Sequence, residues 1–164
     1  MIVIAFGANL ESEVGPPAKT ISAAMAALSN HSVRTIARSP YYTTPAWPDA
    51  SDPPFVNAIA QVETELSPSA LMALLHQIES AFGRTRGAKN APRTLDLDLI
   101  DYDAKVENGP PVLPHPRMAE RAFVLIPLAD IAPNWRHPVS SLSVADLIAQ
   151  LPPDVRAAIR RATT

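Results

Sequence analysis

The stretch NAPRTLDLDLIDYD, Asn90–Asp103, sets two aspartates one residue apart inside an apolar run, just behind an arginine. With a period of two, Leu95, Leu97 and Leu99 face one way and Asp96 and Asp98 the other. That pattern makes the run a strand with one apolar and one acidic face. Its two acidic Cα atoms then stand about 7 Å apart. Carboxylates this close repel unless something positive lies between them. One account is an edge strand carrying solvated acids. The other is Mg²⁺, a hard cation commonly held by one or two carboxylates plus substrate phosphates. Bridging carboxylates could hold two such ions roughly 3.5–4 Å apart.

Working upstream, Ser67 and Pro68 supply a helix start, and Leu71, Leu74, Leu75, Ile78 and Phe82 its apolar stripe. Gly83 ends it. FVNAIAQVETEL, from Phe55, alternates: Val56, Ala58, Ala60 and Val62 point one way, and Phe55, Asn57 and Ile59 the other. SVRTIARSPYYTT, from Ser32, is rich in β-branched and aromatic residues and reads as a strand. Ile21, Ala24, Met25 and Leu28 mark one helix face, entered through Pro16 and Pro17. IVIAF, residues 2–6, is a first buried strand.

The resulting order, β-α-β-β-α-β, is the split βαβ arrangement of a ferredoxin-like α+β fold with an antiparallel sheet. Beyond Val112 the spacing predicts a turn-rich segment, a helix through VLIPLADIA and another over Val144–Leu151. These extra C-terminal helices are additions to the core. The final RAAIRRATT is expected to fray, leaving the tail beyond about residue 152 peripheral.

The 164 residues suit a single domain, 1–164, with 47% hydrophobic and 18% charged residues arguing against disorder. A net charge of −2 offers no general attraction to nucleic acid or anionic membranes. No cysteine is present, which removes disulfides and thiolate metal sites. MIVIAFGANL lacks a basic leader, and no apolar stretch approaches the roughly 20 residues that span a bilayer, so the expected location is the cytoplasm. The 18 prolines fall in short groups and read as stiffened loops, and nothing suggests an obligate interface, so a monomer is expected.

Arg84, Arg86 and Arg93 lie between the second helix and the acidic strand. Guanidinium forks match phosphate oxygens, and several together suggest a polyphosphate, although they could instead neutralise the aspartates. His115, Arg117 and Arg121 form a second cluster in PHPRMAERAF. GANLES lacks the Lys-Ser/Thr ending of a P-loop, so a nucleotide must be held another way. Phe55 and Phe123 could sandwich a flat heterocycle, with Asn57 reading its edge, or could be ordinary core rings.

PRTLDLDLI, with GRTR upstream, PHPRMAERAFVLIPLADIAP downstream and YYTTPAW…FVNAIAQVET before both, resembles the 6-hydroxymethyl-7,8-dihydropterin pyrophosphokinase family. The resemblance runs from FGANL to about Leu151. It implies transfer of a pyrophosphoryl group from ATP to a pterin alcohol in folate biosynthesis, with release of AMP. It implies two Mg²⁺ ions on Asp96 and Asp98, and a pterin held between Phe55 and Phe123, bonded by Asn57 and lined by Thr44, Pro45 and Trp47. It places His76 and Glu79 on the helix flanking ATP, and gives the phosphates to Arg84, Arg86, Arg93, His115 and Arg121. Arg84 and Arg93 then stabilise charge during transfer.

The chain departs from that pattern at Asn90 and Ala91, where the family often has Trp-Gly, and in a loop from Arg86 to Pro92 that looks one residue shorter. Pro116, His76 and the GANL turn also differ from common members. Competing readings are an inactive pterin- or nucleotide-binding paralogue, a ferredoxin-like binding module, and a nucleotidyl transferase that releases pyrophosphate.

Overall fold

A computed structural model describes residues 1–47, 49–84 and 91–162. Its centre is β1 (Ile2–Ala8), buried at every position because it is covered on both faces and paired on both edges. On one side lies β5 (Asp96–Tyr102), on the other β4 (Phe55–Glu63), both antiparallel to β1. The outer edge of β4 carries β2 (Arg34–Arg38) along one length and β3 (Tyr42–Thr44) along the next. With helices α1 (Pro17–Ser29) and α2 (Pro68–Ala81), this is the expected ferredoxin-like α+β arrangement with an antiparallel sheet.

The strand expected from Ser32 is broken in two. At the break, Ser39 keeps the ladder going on its own: its N–H donates to the Ile59 carbonyl (2.9 Å) and its hydroxyl accepts from the Ile59 N–H (3.0 Å). Pro40 has no N–H to continue the ladder, so regular pairing resumes only at Tyr42.

Period-two alternation sends each strand's side chains to two separate cores. Phe6, Ala60 and Leu97 pack under Ile21 and Leu28 of α1 and Leu71 and Leu75 of α2. Ser67 starts α2 by accepting the Ala70 N–H (3.2 Å), and Gly83 leaves it at φ +80, a conformation that favours glycine. On the opposite face, Val3, Ile59 and Ile100 pack under α3 (Ala122–Ile131) and α4 (Val144–Gln150). The helix expected through VLIPLADIA therefore begins at Ala122, and that over Val144–Leu151 closes at Gln150.

A bulge between Val3 and Ile4 of β1 leaves Ile100 unopposed on β5. It turns both Ile100 and Asp101 toward the second core, where Asp101 accepts the Trp135 indole N–H at 2.8 Å.

As far as Ala162 the C-terminal tail is ordered rather than frayed; Thr163 and Thr164 lie outside the described residues. A short helix, α5 (Pro153–Ala158), is followed by β6 (Arg160–Arg161), which pairs antiparallel with β3. Ile159 between them is buried in the second core, and that burial is the physical reason the tail docks.

Candidate active site

Along β1 the side chains facing the second layer shrink from Val3 to Ala5 to Gly7. Ala5 is paired with Asp98, and Gly7 sits between Asn57 on β4 and Asp96 on β5. The sheet is thus bare at this end, and a cleft of about 490 Å³ opens over it. Thr44 comes from the end of β3, Pro45 and Trp47 from the following loop, and Phe55 and Asn57 from β4. Phe123 enters from the first turn of α3, and Arg93, Asp96, Asp98 and Arg121 complete the wall. Residues scattered over most of the chain meet here.

At the apolar end, Asn57 is buried and donates its Nδ2 to the Thr44 hydroxyl at 3.0 Å. That bond fixes which edge of the amide faces outward. Trp47, by contrast, is 70% exposed at the rim. The Arg121 guanidinium lies 5.5 Å from the Phe123 ring centroid, joining the apolar end to the charged one.

At the charged end, Asp96 pairs with Arg84 (2.7 Å) and Arg93 (2.9 Å). Asp98 pairs with Arg121 (2.9 Å), with His115 Nε2 at 3.9 Å. The His115 Nδ1 accepts the Arg117 N–H (3.1 Å). Burial holds the His115 pKa below its ordinary value, the Asp98 carboxylate opposing and Arg121 adding to the depression. Its ring is therefore neutral at pH 7, with Nε2 carrying the proton toward Asp98.

Asp96 and Asp98 suit a hard divalent cation. They are hard oxygen donors on one strand face, with side chains 27% and 31% exposed toward the cleft. Among the described residues, Asp98 Oδ1 has no hydrogen-bond or ion-pair partner. No group of three or more acidic or histidine ligands gathers among the described residues. A cation here would take its remaining ligands from water and substrate oxygens, which is Mg²⁺ chemistry.

Two residues expected beside ATP, Glu79 and His76, lie on α2. Glu79 is 5% exposed and turns inward: its Oε1 accepts the Leu97 N–H (2.7 Å) and an Arg84 guanidinium N–H. Burial raises its pKa, with the Leu97 bond and Arg84 pulling the other way. Glu79 thus anchors the start of β5 and aims Arg84 at Asp96. His76 is exposed on α2 and does not line the cleft. Arg84 and His115 reach the two aspartates without lining the cleft, and Arg86 and Asn90 lie outside the described residues.

Sequence reasoning missed Asn9. Its Oδ1 accepts the Arg93 N–H (2.8 Å), its Nδ2 donates to the Pro53 carbonyl (3.0 Å), and its own N–H donates to the Arg93 carbonyl (3.1 Å). One buried amide therefore ties the end of β1 to the Arg93 loop and the proline-rich loop. The available signal was a lone amide directly after a buried strand. Val155 and Ala158 of the tail also line the cleft, and were missed because the tail was read as frayed.

A family model for 7,8-dihydro-6-hydroxymethylpterin-pyrophosphokinase (HPPK) matches residues 3–133. A 2-amino-4-hydroxy-6-hydroxymethyldihydropteridine pyrophosphokinase of Methylorubrum extorquens is 38% identical over 88% of this chain and 92% of its own. One of the same name from Pseudomonas aeruginosa is 37% identical, over 92% of this chain and 91% of its own. The Plasmodium falciparum HPPK-DHPS crystal structure superposes with a TM-score of 0.66 at 14% identity. The match covers 89% of this chain and 40% of that longer one, and speaks for the fold alone.

Proposed function

This chain belongs to the 7,8-dihydro-6-hydroxymethylpterin-pyrophosphokinase family, and we infer that the cleft at the bare end of the sheet is where it works. It transfers a pyrophosphoryl group from ATP to the hydroxymethyl group of 6-hydroxymethyl-7,8-dihydropterin, releasing AMP, in folate biosynthesis. The observation that carries the assignment of the cleft is its polarity. An apolar end with two phenylalanines and a buried, oriented amide adjoins an acidic pair ringed by arginines.

In this reading Phe55 and Phe123 sandwich the pterin, Asn57 reads its edge, and Thr44, Pro45 and Trp47 close the pocket. The hydroxymethyl oxygen then points at Asp96 and Asp98. That hydroxyl oxygen gives up its proton to water as it attacks the β-phosphorus of ATP, the bond from that phosphorus to the α-phosphate's bridging oxygen breaks, and AMP departs. Arg84, Arg93 and Arg121 spread charge from the phosphates, and His115, neutral, donates a hydrogen bond from Nε2. Arg86 is assigned to the phosphates, and His76 to the flank of the nucleotide, on the resemblance of the sequence alone. The role inferred for Glu79 is to position Arg84. Mg²⁺, two ions in this reading, would be held by Asp96 and Asp98 and would neutralise phosphate charge during transfer. Positioning and electrostatics account for the chemistry, with no covalent intermediate on the protein.

Residues 1–164 are read as one domain acting as a monomer in the cytoplasm. No helix among the described residues is long and apolar enough to cross a membrane. The test is incubation with ATP, Mg²⁺ and 6-hydroxymethyl-7,8-dihydropterin, with Asp96→Ala alongside. AMP that requires the pterin and disappears in the variant supports the reading. Turnover that survives in Asp96→Ala removes the aspartate pair from it.

A further inference from the structure

The family match ends at residue 133, yet the chain continues for another turn of architecture that reaches the cleft. In DVRAAIRR the apolar residues Val155 and Ala158 fall at i and i+3 and share one side of α5, and Ile159 follows directly as its extended C-cap. Ile159 is 6% exposed and sits in the second core. Val155 is half-buried against the same core, whereas Ala158 is exposed, and both line the cleft that also contains Phe55 and Phe123. What solvent Ala158 meets is therefore in part the solvent of the cleft.

The segment is held there by the sheet. Arg160 and Arg161 pair with Thr43 and Tyr42, the Ala162 N–H donates to the Tyr41 carbonyl (2.8 Å), and the Thr43 hydroxyl donates to the Arg160 carbonyl (3.4 Å). Three-residue β3 is too short to hold its place by one edge alone; β6 converts it from an edge strand to an interior one. β3 ends at Thr44, the residue that orients the Asn57 amide. The tail thus touches the apolar end of the cleft twice, directly through α5 and indirectly through β3.

We propose that Val155 and Ala158 form a wall of the pterin pocket, and that Ile159 with β6 is the latch that keeps them there. The inference rests on the reading of the apolar end as the pterin site. Its ligand chemistry is a flat, neutral heterocycle, which an aliphatic wall accepts and a bulky or charged one excludes.

The experiment uses the full-length chain and measures KM for pterin, KM for ATP and thermal unfolding in Ala158→Trp and Val155→Ala. Ala158 is exposed, so Ala158→Trp is expected to keep the wild-type Tm. Its KM for pterin should rise about tenfold or more while KM for ATP stays within twofold. Val155→Ala removes wall contact instead of adding bulk and should raise the pterin KM about tenfold, the low end of what a lost methylene contact is worth. If Ala158→Trp fails to fold, Val155→Ala and its pterin KM decide the matter. An unchanged pterin KM in the folded variants of a turning-over enzyme overturns the inference and leaves the tail a packing element. A wild type that releases no AMP overturns the functional reading instead, so the two failures are distinct.

Discussion

Replacing Asn9 by alanine tests whether the charged end of the cleft depends on one buried amide. The substitution deletes the acceptor of the Arg93 N–H and the donor to the Pro53 carbonyl, bonds that span 84 and 44 residues of sequence. Asn9 is 3% exposed, so little water can replace it. Leaving a buried donor unsatisfied costs about 1–3 kcal/mol, and the second bond adds about 1 kcal/mol, for a total of roughly 2–4 kcal/mol. For a chain of this length, that corresponds to a Tm lower by about 5–15 °C. Arg93 also contacts Asp96 at 2.9 Å, so a loosened Arg93 loop misplaces a guanidinium at the reacting phosphates. A displacement on the order of 1 Å is expected to lower kcat by about 10²-fold. Asn9→Asp is the companion variant: it retains an acceptor for Arg93 but buries a carboxylate against the Pro53 carbonyl, so at pH 7 it should be no more stable than Asn9→Ala. Thermal unfolding and AMP release on the three proteins provide the readout. If Asn9→Ala keeps its Tm within about 2 °C and its rate within about twofold, the amide is not the tie described here.

Asp98→Asn should lower AMP release by about 10²–10³-fold and weaken Mn²⁺ binding followed by electron paramagnetic resonance; a rate within tenfold of wild type would remove Asp98 from the reaction. His115 has a folded pKa below the ordinary value of about 6.5, so its contribution to stability is complete above that pH and is lost as pH falls through the depressed value. Wild-type Tm should therefore drop more steeply than that of His115→Gln on acidification below pH 6.5, and parallel curves would contradict the burial argument. Trp135→Phe strips the indole N–H from the buried Asp101 carboxylate and should cost about 1–3 kcal/mol in urea unfolding. AMP release per folded molecule should not change, because neither residue lines the cleft.

Much of the core was legible because its signals are local. The alternation in Leu95–Leu99 and in Val56–Val62 assigns each side chain to a face without reference to any partner, and both assignments hold. The stripe from Leu71 to Ile78 names its buried face in the same way. Ser39 and Pro40 show the limit of the method: a β-rich composition predicts one strand, but a missing N–H divides it. The tail shows another. Ile159 alone among arginines and alanines looks exposed, and it is buried only because α3, α4 and the sheet form a surface for it.

The candidate site divides along the same line. The sequence alone determined, by residue type and spacing, that Asp96 and Asp98 share one strand face with arginines close by in the chain, and it offered Phe55 and Phe123 as a candidate pair of rings. Which of them meet was decided by the β5-β1-β4 strand order, which sets Gly7 between Asn57 and Asp96 and opens the cleft above it. Glu79 turned inward, Asn9 as a tie between loops and the tail as a cleft wall are likewise products of tertiary structure. Each depends on a polar or apolar group finding its partner far along the chain, and no local period encodes that distance.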